Sequence, residues 1–288
     1  MGGFASSYCQ RVLDYDLLDV FTDQLFTGNP LAVVHGAGDL PDTRLQAVAN
    51  EFGLSETAFP LPPTHPDAHY RLRIFSPTGE LPFAGLPSIG TAWLLASRGV
   101  IPSGVVVQQT ARGLHEVTTT PNGAELAGDT PSVGDYLDAG PPANALGLFL
   151  SDVDGHAGVA GAGVDFTFLP VKEDAVARAH PRQDLAGHVP GRGLVPVHFA
   201  GGVAHVRMFR VSGGEDPATG SAALALGVFL VDRGLLPPEG EHRFSVRQGV
   251  EVGRPSTLEC SVTAVGGVAT HVRVSGGVVP VAEGKMRV

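Results

Sequence analysis

The sequence repeats itself, and nothing else in it constrains the fold as strongly. Arg73-Ile74-Phe75 returns as Arg207-Met208-Phe209, and Glu80-Leu81-Pro82-Phe83-Ala84-Gly85-Leu86 returns as Glu215-Asp216-Pro217-Ala218-Thr219-Gly220-Ser221. Each copy continues into an apolar stretch that ends in Arg-Gly, at Arg98-Gly99 and Arg233-Gly234. A weaker echo follows, because residues 107–117 and 246–262 both read as a hairpin with Gln and Gly near its start. Short strings resemble one another by chance, but four landmarks in the same order do not. The reading is two domains of similar build, which suits a 288-residue chain at roughly 150 residues per domain.

The stretches inside the repeat predict unusual helices. Ile89, Thr91, Ala92, Trp93, Leu94, Leu95 and Ala96 leave no polar stripe, and residues 222–231 are apolar on every side. A helix apolar all round is buried in protein or in lipid, and residues 221–231, the longest strongly apolar run, are too few to span a bilayer. Arg in the last turn favours the helix dipole, and Gly just beyond it favours a left-handed cap. Buried helices flanked by short β segments imply a sheet curled around a central helix. The β segments include residues 17–21 and 31–35, either side of Phe26-Thr27-Gly28-Asn29-Pro30, and a strand in which Tyr70, Leu72 and Ile74 alternate with Arg71 and Arg73. One amphipathic helix is predicted over residues 42–52, with Leu45, Val48, Ala49 and Phe52 on one face and Gly53 as its stop. Residues 60–66 read as a Pro-rich loop. Residues 120–135 read as the interdomain linker, for they hold Pro121, Asn122-Gly123 and Pro131 with little periodicity. The expected division is 8–125 and 130–277, with residues 278–288 a strand that could return to either half.

Composition narrows the function. The 39 Gly and 23 Pro have no Gly-X-Y period, so they mark many turns and short strands, not collagen. A net charge of −10 with no Lys/Arg-rich block makes nucleic acid and anionic membrane poor partners. Cys9 and Cys260 form neither a disulfide framework nor a zinc pattern, which suits a reducing cytosol. No basic region followed by an apolar one opens the chain, so no secretory signal is expected. Met1-Gly2 with Ser6 meets the loose N-myristoylation pattern, but an unstructured leader is the simpler reading.

The helix starts are the first candidate site. Gly85 and Gly220 stand at matching places before two buried helices, followed by Pro87-Ser88 and by Ser221. Free N–H groups there, with no side chain in the way, can receive a carboxylate, although Pro in a first turn is also ordinary helix entry. Glu56, in Leu54-Ser55-Glu56-Thr57-Ala58-Phe59, shares a strand face with apolar Leu54 and Ala58. A carboxylate on an inward face is costly unless used or paired, and burial would raise its pKa toward that of a general base. A lone Glu at a strand start is otherwise usually solvated. Asp216 before Pro217 reads equally well as a turn residue. His65 and His69 lie in a loop without the neighbouring Glu of a zinc helix. If Gly201-Gly202 is a hairpin turn, His198 and His205 face each other, more simply as a surface pair than as half a metal site. Phosphate-binding Gly loops and a GxSxG elbow are absent from the sequence.

Taken in order, Phe21-Thr22-Asp23, Gly28-Asn29-Pro30-Leu31-Ala32-Val33-Val34, Leu54 to Phe59, Leu81-Pro82-Phe83-Ala84-Gly85, Gly90-Thr91-Ala92, Glu215 to Ala222, Gln248-Gly249 and Gly253-Arg254-Pro255-Ser256 resemble the PhzF-like phenazine-biosynthesis family. The resemblance runs from about residue 14 to the C-terminus. It implies a diaminopimelate-epimerase-like α+β fold: two similar domains, each a β-barrel-like sheet wrapped around a central α-helix, with the active site between them. It further implies a homodimer without metal or organic cofactor, acting on a small anionic substrate. The family's founding activity isomerises trans-2,3-dihydro-3-hydroxyanthranilate by moving a proton between ring carbons. Matched position by position, Glu56 is implied as the acid/base and Asp216 and Ser221 as groups that bind substrate and assist the shuttle. Gly85 and Gly220 are implied as the backbone that receives the carboxylate, with Ser88, where the family usually carries Thr, beside them.

One position departs. Where the family has Phe-Ala-Gly-His-Pro, this chain has Phe83-Ala84-Gly85-Leu86-Pro87, and Leu can neither donate nor accept a proton as imidazole does. Related epimerases of this architecture use two cysteines at the helix starts; the nearest positions here are Ala84 and Thr219, which speaks against two-thiol racemisation. The sequence therefore predicts a cofactor-independent, cytoplasmic isomerase of a small carboxylic acid with Glu56 as general acid/base. The alternative, prompted by Leu86, is a non-catalytic ligand-binding or regulatory relative.

Overall fold

Residues 11–182, 185–187 and 189–288 are described by a computed structural model. Met1, Gly2, Ser6 and Cys9 lie outside the described residues. Five α-helices occur among them: α1 (Asp42–Phe52), α2 (Gly85–Ser97), α3 (Gly140–Ala145), α4 (Glu173–Arg178) and α5 (Gly220–Asp232).

The first half is a closed barrel around α2. In order around the ring stand Val12–Val20, Asn29–Val34, Glu56–Leu61, Tyr70–Ser76, Val105–Thr110, Gly113–Thr120, Gly123–Ala127 and the final strand Val268–Arg287. That final strand closes the ring, because residues 278–287 pair with Val12–Val20 while residues 273–277 pair with Gly123–Ala127. Its opening residues pair with Ser256–Val265 in the second half, so one strand of 20 residues belongs to both sheets. The second half curls Pro131–Leu137, Ala157–Ala162, Asp165–Pro170, Gly193–Ala200, Val203–Val206, Gly240–Gln248 and Ser256–Val265 around α5.

The two halves share connectivity as well as sequence. A parallel pair bridged by an outer helix occurs in each, Asn29–Val34 with Glu56–Leu61 across α1 and Asp165–Pro170 with Gly193–Ala200 across α4. A second parallel crossover in each half carries the buried helix, α2 or α5. The repeated ion pairs coincide too: Arg73 forks onto Glu80 at 2.7 Å through both nitrogens, and Arg207 onto Glu215 at 2.9 and 2.6 Å. Each guanidinium also lies over the ring two residues on, Phe75 or Phe209, at 5.2 and 4.8 Å.

Burial follows the patterns that predict it. Leu45, Val48 and Ala49 of α1 pack on the barrel's outside against Phe59 and Phe75, and Gly53 ends the helix in the left-handed conformation. Residues of α2 from Gly85 to Ala92, and of α5 from Ala222 to Val231, are buried. Each fully buried Leu or Phe in such a core contributes about 1.5–3 kcal/mol, which holds helices that have no polar face to offer water. Both end at Arg, and Gly99 and Gly234 follow with matched φ of +68° and +67°.

Two readings need correction. Residues 120–135 are mostly strand: Gly113–Thr120 and Gly123–Ala127 form a hairpin over Pro121-Asn122, and Pro131–Leu137 opens the second sheet, leaving residues 128–130 as the crossing. Pro131–Leu137 is exposed along most of its length, so no apolar period betrays it, and Pro is tolerated at the first position of an edge strand. Pro60 and Leu61 belong to a strand, so the loop starts two residues later than the prolines suggest. The strand expected over residues 17–21 begins earlier, at Val12.

Candidate active site

The two buried helices meet start to start. A Cβ on Gly85 would stand 3.4 Å from both the Gly220 Cα and the Ser221 N, and one on Gly220 would stand 3.5 Å from the Gly85 Cα and 3.1 Å from Phe21 Cζ. A Cβ at Gly85 would make ordinary contact, whereas one at Gly220 would press on the Phe21 ring. Both caps, Ala84 and Thr219, leave the first turn without a side-chain acceptor, so the N–H groups remain available to an anion. Two positive dipole ends brought together repel, and an anion between them relieves that repulsion.

Glu56 faces the same cleft from the first half. On its strand Ala58 points into the core around α2 and Phe59 outward to α1; Glu56 shares the face of Ala58, at the strand's open end. The carboxylate lines a cavity of about 300 Å³ with Ala84, Phe166, Thr219, Ser221 and Asp216. Its Oε2 is closed to solvent and has no hydrogen-bond partner among the described residues. Burial foremost, and then the charge of Asp216, push the Glu56 carboxyl up to about 8, with Arg210 and Arg192 pulling the other way. A second cavity, of about 450 Å³, adjoins on the other side of Glu56 and shares Leu81, Arg192 and Arg210.

Asp216 is held very differently. It is 4% exposed and accepts hydrogen bonds from Thr219 Oγ1 at 2.6 Å, Ser55 Oγ at 3.0 Å, Asn29 Nδ2 at 3.1 Å and the Arg210 guanidinium. Its carbonyl accepts from Gln248 Nε2 at 2.7 Å, and Gln248 Oε1 accepts from the Thr219 N–H at 3.1 Å. Asn29 and Ser55 come from the first half and the others from the second, so this carboxylate ties the halves together at the cleft. With four donors filling its lone pairs, its geometry suits a fixed negative charge beside Glu56.

Of the residues singled out in the sequence, Glu56, Asp216 and Ser221 line one cavity, and Gly85 and Gly220 abut each other next to its wall residues Ala84, Thr219 and Ser221. Ser221 is half-buried on the cavity wall. Ser88 is apart from them: it is fully buried, its Oγ donates to the Ala84 carbonyl at 2.8 Å and accepts from Gln108 Nε2 at 2.9 Å, and it is absent from the cavity wall. Leu86 is 3% exposed within the core around α2, and no imidazole of the described residues lines the cavity.

The remaining candidates lie elsewhere. His198 and His205 do oppose each other across Gly201-Gly202, but His198 faces the Val171 carbonyl and His205 faces Glu251. His65 and His69 each accept from a backbone N–H, of Asp67 and Val107. Cys260 is buried in the sheet, and burial pushes its thiol well up. No group of three or more His, Cys, Asp or Glu placed to hold a metal occurs among the described residues, and no helix is long and apolar enough to cross a membrane.

A family model described as phenazine biosynthesis-like protein matches residues 18–284. The chain belongs to the PhzF-like phenazine-biosynthesis family. An uncharacterized isomerase of Mesorhizobium japonicum is 36% identical over 95% of the chain and 98% of that relative. The trans-2,3-dihydro-3-hydroxyanthranilate isomerase of Pseudomonas fluorescens is 32% identical over 91% of the chain and 95% of that enzyme. A solved PhzF-family phenazine biosynthesis protein of Bacillus anthracis superposes with a TM-score of 0.87 at 23% identity, over 96% of this chain and all of that one. The PhzF-like fold thus explains the internal repeat: each copy supplies one barrel and one helix start.

Sequence reasoning missed the arginines of this PhzF-like cleft. Arg112, Arg192 and Arg210 all line it, yet only Arg112 lies within a repeat landmark, the weakest one, and none lies in a family motif. Only the tertiary fold brings them to Glu56.

Proposed function

We propose that this isomerase of the PhzF-like family moves a proton between two carbons of a small carboxylic acid, with Glu56 as the general acid/base. The observation that carries the reading is Glu56, which lines a cleft beside two helix starts while its Oε2 is shielded from water and unpartnered among the described residues. The substrate carboxylate sits at Gly85 and Gly220, where N–H groups hold its charge and the charge that develops as a proton leaves. Glu56 breaks a C–H bond, the electron pair shifts through the adjoining unsaturated system, and the protonated Glu56 returns the proton to another carbon on the same face. Substrate and product have the same composition. A carboxyl raised to about 8 is a strong enough base when ionised and a ready acid when protonated. Asp216 keeps it raised, and Ser221 offers its hydroxyl to the bound carboxylate.

The relatives that isomerise trans-2,3-dihydro-3-hydroxyanthranilate support the reaction class. Leu86 in place of the family histidine, with no imidazole of the described residues on the cavity wall, argues for a different substrate. The same observation favours the second reading, a relative that binds ligand without turnover. Incubation in deuterated water with trans-2,3-dihydro-3-hydroxyanthranilate and a panel of small unsaturated acids separates the two. The expected result is deuterium on carbon in at least one acid, lost by about a thousandfold or more in Glu56→Gln while its Tm is retained. Exchange undiminished in Glu56→Gln removes the base from the mechanism, and binding without exchange in the unaltered protein favours the non-catalytic relative.

A further inference from the structure

We infer that the cleft takes a dianion, a small acid whose second anionic group is held by Arg192. This rests on the reading of the cleft as an anion-binding isomerase site, and it names the class of substrate that site selects. The argument is one of charge. Around Glu56 stand three guanidinium groups, and two are already neutralised: Arg210 pairs with Asp216, while Arg112 lies 3.6 Å from Asp129 and donates to the Gly163 carbonyl at 2.6 Å. Glu56 itself is largely protonated at neutral pH. Arg192 has no hydrogen-bond or ion-pair partner for its side chain among the described residues, yet it lines both cavities that flank Glu56.

Its backbone is held from both sides. The Arg192 N–H donates to the Asp165 carbonyl at 2.8 Å, and its carbonyl accepts from the Val211 N–H at 3.0 Å. The preceding Gly191 has φ +79°, and a Cβ there would stand 2.4 Å from the Asp165 carbonyl oxygen, so only glycine permits this approach. An anchored base carrying a free, forked guanidinium is the arrangement that binds a carboxylate or phosphate through two parallel hydrogen bonds. The helix starts at Gly85 and Gly220 already provide for one carboxylate. Arg192 is exposed, so water alone meets its charge when a monoanion is bound, and a dianion replaces that water with a paired anionic group.

Two probes of the same ring, benzoate and isophthalate, differ by one carboxylate. Calorimetric titration at pH 6.5 is expected to show isophthalate binding about tenfold or more tightly than benzoate. Arg192→Gln is expected to weaken isophthalate to within about threefold of benzoate and leave benzoate nearly unchanged, and Arg192→Lys to retain part of the preference. Gly220→Ala, which crowds the helix junction, is expected to weaken both probes alike. Equal affinity of the two probes for the unaltered protein, or equal loss of both in Arg192→Gln, overturns the dianion while leaving the isomerase reading standing. If neither probe binds, the anion cleft fails, and the dianion with it.

Discussion

Gly85 and Gly220, from different halves of the chain, stand so close that a Cβ on the first would lie 3.4 Å from the Cα of the second. The contact sets two helix starts against each other beside the cavity that Glu56 lines. Gly220→Ala places a methyl 3.1 Å from Phe21 Cζ, tight enough to displace the ring. The expected outcome is a loss of about 1–2 kcal/mol in urea denaturation. Gly85→Ala, whose Cβ would meet nothing closer than 3.4 Å, is expected to lose less.

The Glu56 carboxyl makes folding stability depend on pH. Its folded value is about 8 against a reference of 4.5, so between those values the folded protein holds a proton that the unfolded chain has released. Stability from this group is therefore greatest below about 4.5, falls as pH rises through the window, and levels off above about 8, a loss on the order of a few kcal/mol. Glu56→Gln removes the slope. Tm differences between variant and parent are expected to widen in the variant's favour from pH 5 to 8; a constant difference would show that the Glu56 carboxyl is not raised.

After burial, the charge of neighbouring Asp216 is what raises the Glu56 carboxyl. In Asp216→Asn that repulsion is gone and Arg210 is freed from its partner, so Glu56 is expected to titrate at lower pH. Carbon-13 NMR of the glutamate carboxyls follows this without a substrate. A midpoint that stays or rises contradicts the electrostatic picture. Stability is expected to drop by about 2–4 kcal/mol, because the donors that met the carboxylate are left under-satisfied.

The repeated Arg–Glu pairs offer an internal control. Glu215 and Arg207 are about one-tenth exposed, whereas Glu80 is 37% and Arg73 22% exposed. Glu215→Gln leaves a buried guanidinium under-compensated and is expected to cost about 3 kcal/mol. Glu80→Gln is expected to cost about 1 kcal/mol or less, since water and Asp42 still serve Arg73. Chemical denaturation of both variants checks the difference, and equal losses would mean that burial does not govern it.

Much of the fold was legible because its signals are local. The all-apolar faces of α2 and α5 could only be buried, the Arg-Gly endings predicted their caps, and Leu45, Val48 and Ala49 marked the outer face of α1. Pro131–Leu137 was illegible for the opposite reason, since an exposed edge strand carries no apolar period. In the candidate site, Glu56 was legible through its place beside Ala58, but the roles of Ser88 and Arg192 were not. Ser88 looked like a helix-start ligand and is turned instead toward Ala84 and Gln108; Arg192 carried no signal in the sequence and lines the same cavity as Glu56.

The sequence by itself determined that the chain is duplicated, that each copy buries a helix, and that both helix starts are bare glycine. Periodicity, caps and steric need act within a few residues, so they can be read along the chain. Tertiary structure alone decided that the two starts abut and that Asn29 meets Asp216 across 187 positions of sequence. It also decided that one arginine of the three lining the cavity with Glu56 has no side-chain partner among the described residues. Those relationships exist only because the final strand joins the two sheets, and pairing between strands so far apart leaves no local trace.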